Sequence, residues 1–313
     1  MFNVSISGKL AGHGKLIVKR GNGTIENYED NNKLLASFFN KANSGVLFSL
    51  TPRLKVGTGT TATEASTTQL AALLPPVSGS WPAATVLEEP TGTLVENGTK
   101  IRAYIKYQLV AAVGQFVGNI SEYGLNLSGD SNTASAIVDT RVLITDSEGN
   151  PATLTLGVLD QLICEYTIGI LIPYEDVVKT TTAQQNGATV SYEITTRLTG
   201  LYKFSTYMNL SYANSSSSQT VYVTQADIGA IGTSLPASND SSQDNFGTTV
   251  VVGNGTHRSF AVDIPINKGN LVGGIKGLAI GNRGNWYKLG FNPPLPKALN
   301  NNIKFTINLS HSQ

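Results

Sequence analysis

The chain has 313 residues and a formal net charge of +1, so it is long enough for two domains and offers no basic surface for nucleic acid. Only 14% of its residues are charged, and Gly, Ser, Thr and Asn are plentiful, which is typical of all-β proteins with many turns. The single cysteine, Cys164, excludes an intrachain disulfide, and the alternating segment around it predicts a buried thiol.

The amino-terminal segment MFNVSISGKLAGHGKLIV has neither the positively charged start nor the apolar stretch of a signal peptide. No window of the sequence approaches the roughly 18 consecutive apolar residues that a membrane-spanning helix needs. We therefore expect a soluble protein that is made in a cytoplasm and does not insert into a membrane.

Two segments predict short helices in a chain that is otherwise rich in β-forming residues. Near residues 31–44, Asp and Asn at positions 30–32 can cap a helix whose Leu and Phe residues recur at helical spacing, and Gly45 can end it. Near residues 67–74, Ser66 can cap a second helix, which a pair of prolines ends. Gly57 and Gly59 precede this second helix, and we expect them to let the chain turn tightly out of a strand.

Alternation of apolar and polar residues with a period of two dominates the rest of the chain. It is clearest at residues 101–109, 190–198 and 303–309. Turn signals separate such segments at residues 21–23, 148–151 and 254–255. The sequence therefore predicts an all-β fold of antiparallel β-sandwich domains with one or two short helices.

A change in composition predicts a domain boundary near residue 178, because the run 179–188 is polar and poor in β-forming residues. We expect an N-terminal β domain at residues 1–178, which contains both short helices, and a C-terminal β domain at residues 179–313. The C-terminal half also contains two Ser/Asn-rich segments that predict exposed loops, at residues 211–219 and 232–248.

Chemical motifs give no catalytic assignment. The glycine-threonine run after Val56 lacks the lysine and the βαβ context of a phosphate-binding loop. Four carboxylates could supply a glycosidase pair, although the sequence does not pair them: Glu122, Asp139, Asp146 and Glu165. Calcium ligands stay open at Asp130, Asp240 and Asp244, which do not follow the spacing of a calcium-binding loop. We therefore predict no catalytic, cofactor-binding or metal-binding residues.

Three motifs follow one another between residues 50 and 175. They are VGTG with the segment that follows it (residues 56–70), ISEYGLNLSG (residues 120–129), and a strand, Glu-Gly-Asn-Pro hairpin and strand (residues 140–173). In this order they resemble a recurring family of tailed-phage virion proteins, the structural subunits of the tail or its appendages. The residues that carry the resemblance are Gly57, Gly59, Leu70, Glu122, Gly124, Leu125, Gly149 and Pro151.

The chain departs from this family in two places. Family members often have an acidic residue shortly before the position of Leu70, where this chain has Thr67, Thr68 and Gln69. Residues 176–290 do not resemble the family, whereas residues 291–310 resemble its closing segment.

The resemblance implies a non-enzymatic structural component of a phage virion, without a cofactor. We expect a ring, sleeve, collar or fibre-base subunit of the tail that is assembled in the host cytoplasm. The implied partners are further copies of the chain and other tail or portal-proximal proteins. Two alternatives stay open: an adhesin that binds host-surface glycans through its Ser/Asn-rich loops, and a tail enzyme that cleaves glycans.

Overall fold

The protein is an all-β molecule with two short helices, which confirms the predicted fold class. A computed structural model describes residues 2–43, 51–64, 66–185, 187–211, 221–233, 242–244, 248–251, 257–264, 271–280, 287–297 and 303–312. The predicted turn at residues 254–255 and most of the two predicted Ser/Asn-rich loops lie outside the described residues.

The first half of the chain contains eleven described strands and the helix α1 (Ala36–Asn43). The strands are β1 (Phe2–Lys19), β2 (Ile25–Leu34), β3 (Arg53–Gly57), β4 (Ala84–Glu88), β5 (Thr93–Val95), β6 (Lys100–Val110), β7 (Gly118–Ile120), β8 (Glu122–Asn126), β9 (Thr140–Leu143), β10 (Leu154–Leu156) and β11 (Gln161–Pro173).

The second half contains nine described strands and the helix α2 (Phe204–Ser211), which the sequence did not predict. The strands are β12 (Val177–Gln185), β13 (Ala188–Leu198), β14 (Val221–Thr224), β15 (Ser242–Asp244), β16 (Thr248–Val251), β17 (His257–Ile264), β18 (Leu271–Ile280), β19 (Tyr287–Lys297) and β20 (Ile303–Ser312).

The long strand β1 organises a twelve-stranded sheet. Its second half pairs with β2 on one side and with β11 on the other, and β11 continues to β6. Its first half pairs with β20, in register from Phe2 opposite Phe305 to Lys9 opposite Ser312. This pair is parallel, whereas the other described strand pairs are antiparallel.

Strands from both sides of residue 178 share this large sheet, because β16, β17 and β20 extend it beyond β1. A second sheet of six strands, in the order β12-β13-β19-β18-β14-β15, consists of later strands only. Buried side chains of both sheets belong to one hydrophobic cluster, which includes Leu109 and Leu289. The division into two domains stays a prediction. A boundary near residue 178 would cut through this shared sheet and this shared core.

The alternation that predicted the strands is seen directly in β6 and β11. In β6 the odd-numbered residues from Ile101 to Leu109 are buried and their neighbours are partly or fully exposed. Cys164 in β11 is fully buried, as predicted, and burial raises the pKa of its thiol. The predicted hairpin turns at residues 21–23 and 148–151 are present, with Gly23 and Gly149 at positive φ.

The predicted helix near residues 31–44 is shorter than expected. Residues 30–32, predicted as its cap, belong to strand β2, which pairs with β1 up to Asn32 opposite Gly12. The helix begins at Ala36, after the backbone N–H of Leu35 has bonded to the carbonyl of Asp139. Pairing with the central strand therefore outweighs local capping. The predicted stop at Gly45 lies outside the described residues.

The predicted helix near residues 67–74 is wrong. The segment is an irregular loop with two isolated β-bridges, one between Gln69 and Ile137 and one between Leu73 and Gly57. Its backbone N–H groups bond to groups elsewhere in the chain rather than to one another, for example Leu70 to the carbonyl of Ala136. Both described helices have eight residues, and no helix in the described part of the chain is long and apolar enough to cross a membrane.

Candidate functional site

Six of the eight residues that carry the family resemblance meet in space. Pairing of β3 with β8 places Gly57 opposite Glu122 and Leu54 opposite Leu125. The loop after β3 then returns across β8, so that Gly59 and Ala71, the residue after Leu70, bond to Glu122 at the start of β8. The remaining two, Gly149 and Pro151, shape the hairpin after β9, where Pro151 bridges to Thr145.

A buried ion pair lies at the centre of this arrangement, and we call it the Glu122–Arg141 latch. Both side chains are almost completely buried, and Arg141 Nε donates to Glu122 Oε2 over 2.6 Å. The two carboxylate oxygens also accept the backbone N–H groups of the returning loop, from Gly59 (3.1 Å), Ala71 (3.2 Å) and Ala72 (2.9 Å). The latch therefore fastens the loop of residues 58–74 to the sheet.

The other end of the latch holds the same loop at a second point. Arg141 Nη2 donates to the carbonyl of Thr61 over 2.9 Å. The buried guanidinium thus bonds both to the carboxylate and to the backbone, as a buried charge requires. Arg141 was not singled out from the sequence, where it is one arginine among alternating residues.

Gly57 and Gly59 are required for a different reason from the tight turn that the sequence predicted. Neither Gly57 nor Gly59 has a positive φ, so no left-handed turn is involved. A Cβ at Gly59 would lie 2.5 Å from Glu122 Oε1, and one at Gly57 would lie 2.7 Å from that oxygen and collide with the carbonyl of Ala72. Glycine is needed because the backbone passes directly against the carboxylate.

Gly124 and Leu125 complete the packing of β8. A side chain at Gly124 would collide with the carbonyl oxygen of Thr140, so the neighbouring chain can approach only a glycine here. Leu125 is fully buried in the main core. Leu70 is buried in a small second cluster with Leu35 and Val138. The motif residues therefore build a scaffold rather than line an open cavity.

Each of the four carboxylates considered for glycosidase chemistry forms an ion pair or hydrogen bonds within the fold. Glu122 belongs to the latch, and Glu165 forms an ion pair of 2.8 Å with Lys106. Asp139 is buried and accepts from Lys41 Nζ and from the N–H of Leu127. Asp146 accepts the N–H groups of its own hairpin turn. In the part of the chain that the structure describes, no group of three or more His, Cys, Asp or Glu is placed to hold a metal ion.

Asp130, one of the calcium candidates, instead pairs with a buried lysine. Lys55 Nζ lies 3.1 Å from Asp130 Oδ2 and donates to the carbonyl of Ser135 over 2.6 Å. The nearby hydroxyl of Ser135, the hydrogen bond from the N–H of Asn132 and the Lys55 ammonium lower the pKa of Asp130 to about 2. Asp244 lies in β15, Asp240 lies outside the described residues, and the loop around Asp130 is fixed by Lys55.

A second feature, the apolar end, lies where several loops meet at one end of the large sheet. Six large apolar side chains project into solvent there, each between 47% and 68% exposed. They are Ile25, Val77, Val110, Val113, Val158 and Leu159. Exposed apolar side chains that cluster, rather than occur singly, mark interaction surfaces.

Backbone contacts show that these loops are neighbours. Gly21, at the turn between β1 and β2, approaches Leu159 so closely that a Cβ there would lie 2.5 Å from the leucine Cβ. The N–H of Gly114 bonds to the carbonyl of Asp160 over 2.9 Å, and the N–H of Val77 bonds to the carbonyl of Gln115 over 2.8 Å. The apolar end is therefore one continuous set of loops.

Asp160 holds the apolar end in place. Its carboxylate accepts from Arg20 Nη1 (2.8 Å), from the N–H of Gly157 (2.8 Å) and from the N–H of Gly21 (3.0 Å). These bonds, led by the one from Gly157, lower the pKa of Asp160. Arg20 is held in turn by Glu26, at 2.6 Å. A signal for this surface was present in the sequence, because Val158 and Leu159 are adjacent apolar residues inside a turn.

Comparison with known proteins gives no match to this chain, whether with family models, with curated protein sequences or with solved structures.

Proposed function

We propose that the chain is a non-enzymatic structural subunit of a tailed-phage tail. It is assembled in the host cytoplasm and enters the virion by binding further copies of itself and other tail proteins. The observation that carries this proposal is the apolar end, a surface of exposed apolar side chains on loops that are already fixed in place. The resemblance of the motifs around the latch supports the choice of a phage tail.

The apolar end suits assembly because its loops are ordered before a partner arrives. Binding then costs little loop entropy, since Asp160 and Arg20 already hold the turns that carry Val158 and Leu159. A net charge of +1 also produces little repulsion between copies that are packed together. The latch likewise fastens a loop to the sheet, through Gly59, Thr61, Ala71 and Ala72.

Sedimentation of the purified chain over a range of concentrations tests the assembly step. We expect concentration-dependent association that weakens at least tenfold when Val158 and Leu159 are both changed to Ser. The matched control changes Val86 and Leu87 to Ser, because these residues of β4 are also exposed but lie outside the apolar end. Equal association of both double variants would remove the apolar end from the proposal.

Quantitative mass spectrometry of purified phage particles tests the location. A tail subunit is present at a fixed number of copies per particle, and labelled particles show it on the tail. Particles that lack the chain, or contain it in variable trace amounts, would refute a virion component. The alternative adhesin through residues 211–219 and 232–248 stays a prediction, since most of these residues lie outside the described part of the chain.

A further inference from the structure

An open cleft of about 680 Å³ lies on the exposed face of the large sheet, over β1, β11 and β6. These three neighbouring strands bury every second residue, so the residues between them form a polar face. The cleft follows this face for four rows of paired residues, which is about 20 Å at the usual rise of a strand. None of its residues belongs to the latch or to the apolar end.

Two of the three residues at the middle of the cleft floor, Ala11 and Gly169, have little or no side chain. Ala11, Gly169 and Tyr104 form one row across the three strands, because Ala11 pairs with Gly169 and Gly169 pairs with Tyr104. The position of a Cβ at Gly169 lies 3.5 Å from the Tyr104 Cβ, so the tyrosine stands directly beside the open floor. A ring with an apolar face can lie over the glycine and against the tyrosine.

Two cations mark one end of the cleft. Lys9 and Arg102 are exposed and occupy the next row, on either side of Leu171. Within the described residues, neither side chain takes part in an ion pair or a side-chain hydrogen bond. Their Cα atoms are about 10 Å apart, because two strand spacings separate β1 from β6. An unpaired guanidinium beside an ammonium fits a carboxylate.

The other end of the cleft is lined by two lysines and three carboxylates, one of which is Glu88 of β4. Lys15 pairs with Glu29 at 2.7 Å, and Lys106 pairs with Glu165 at 2.8 Å. His13, Thr167 and Lys106 form the row next to the floor, and Lys15 and Glu165 lie in the row beyond it. This end therefore presents both donors and acceptors, which suits a neutral polyhydroxylated group. A ligand that is anionic along its whole length would meet three carboxylates here, those of Glu29, Glu88 and Glu165.

We propose that this cleft binds an acidic saccharide, one whose sugar carries a carboxylate. The carboxylate binds Arg102 and Lys9, the sugar ring lies over Gly169 against Tyr104, and hydroxyl groups of the next sugar bond to His13 and Thr167. The proposal goes beyond the structural role and does not depend on it, because the cleft and the apolar end are separate surfaces. It differs from the adhesin alternative, which used the Ser/Asn-rich loops.

Calorimetric titration of the full chain with four probes tests the ligand class. Sialyllactose and trigalacturonate carry the proposed carboxylate, lactose is the neutral counterpart of sialyllactose, and a short polyaspartate is an acidic peptide. We expect saturable binding of at least one acidic saccharide and at least tenfold weaker binding of lactose and polyaspartate. Equal binding of lactose, equal binding of polyaspartate, or no binding of either acidic saccharide would overturn the proposal.

Two variants locate the binding in the cleft. Arg102→Gln removes the guanidinium from an exposed position, and Gly169→Leu fills the floor at a glycine where a Cβ meets only ordinary contacts of 3.4 Å or more. We expect each to weaken binding of the acidic saccharide at least tenfold without changing the melting temperature. Lys19→Gln is the matched control, since Lys19 lies on the same face of β1 outside the cleft. Unchanged binding by Gly169→Leu would place the ligand elsewhere.

Discussion

A carboxylate at the position of Glu122 can be buried only if each of its oxygens is bonded, and the chain meets this need from three directions. Arg141 comes from the neighbouring strand β9, and the N–H groups of Gly59, Ala71 and Ala72 come from a loop 50 to 63 residues earlier. The same carboxylate thus explains Arg141 through its charge and Gly59 through the close approach of its backbone.

Replacing this carboxylate by an amide should be severely destabilising. Glu122→Gln leaves the Arg141 guanidinium buried without its counter-ion, so we expect the free energy of unfolding to fall by about 3–5 kcal/mol. Urea denaturation measures this loss. Glu29→Gln, in the exposed pair with Lys15, is the control and should change stability little. A latch variant as stable as the control would show that the pair contributes nothing to the fold.

A methyl group at Gly59 should also be harmful, for a steric reason. Gly59→Ala places a Cβ against the Glu122 carboxylate, and we expect a loss of about 1–3 kcal/mol in the free energy of unfolding. At Gly157 the nearest atom to an added Cβ is 3.6 Å away, so Gly157→Ala serves as a tolerated control. Thermal melting of both variants distinguishes a steric clash at Gly59 from a general cost of replacing glycine by alanine.

The carboxylate of Asp130 predicts a loss of stability in acid, because Ser135, the N–H of Asn132 and the Lys55 ammonium all favour its charged form. Because the pKa of Asp130 is lowered from 3.8 to about 2, its stabilising contribution is complete above pH 3.8 and is lost as the pH falls towards 2. We expect the difference in unfolding free energy between the native chain and Asp130→Asn to shrink over this interval. Denaturation at several pH values measures it, and a difference independent of pH would contradict the assignment.

The loop of residues 58–74 shows why local sequence failed to predict this element. Ser66, the leucines and the following prolines fit a short helix, but a helix would bond its own N–H groups internally. Here the carboxylate of Glu122 and the carbonyls of Val56 and Ala136 accept these N–H groups instead. The competing acceptors are distant in sequence, so spacing rules applied to this segment alone cannot detect them.

Leucines in this loop should differ in their contribution to stability. Leu70 is buried against Leu35 and Val138, whereas Leu73 is only partly buried. We expect Leu70→Ala to cost about 2–5 kcal/mol and Leu73→Ala to cost less. Had the segment been a helix lying on the sheet, the two substitutions would have had similar costs. Equilibrium unfolding of the two variants decides between these descriptions.

Other elements were predictable to different degrees. The strands β6 and β11 have one face in the core, so their alternation is visible in the sequence. The polar segment of residues 25–34 became a strand because β1 lies beside it, and α2 was missed because its eight residues give a weak periodic signal. Local patterns therefore predicted strands with a buried face, and pairing partners decided the rest.

At the scale of the whole molecule, the pairing of β1 with β20 connects the two halves that composition had separated. No local pattern predicts which distant strands will pair, so this contact could not be anticipated from the sequence. The pairing places the strands β16, β17 and β20 in the same sheet as β8 and β9, which carry Glu122 and Arg141 of the latch. The sequence showed the site residues as a motif, but it did not show that they meet around the Glu122 carboxylate.

This connection predicts cooperative unfolding. Because the large sheet and the main core contain residues from both halves, we expect one calorimetric transition for the whole chain. Removing residues 303–313 should lower the melting temperature and expose an unpaired edge on β1 and on β17. Two separate transitions in the intact chain would instead support independent domains at residues 1–178 and 179–313.

The β1–β20 pair also sets an order of events during synthesis. Phe2 can find its partner Phe305 only after the intervening chain has been translated, which takes roughly 15–60 s at usual ribosome speeds. Until then the edge of β1 that receives β20 is unprotected, and copies emerging from neighbouring ribosomes present the same edge. A nascent chain therefore depends on β20 to shield β1 from mispairing. Contacts between such distant residues also form slowly, so folding after release is expected to lag behind translation.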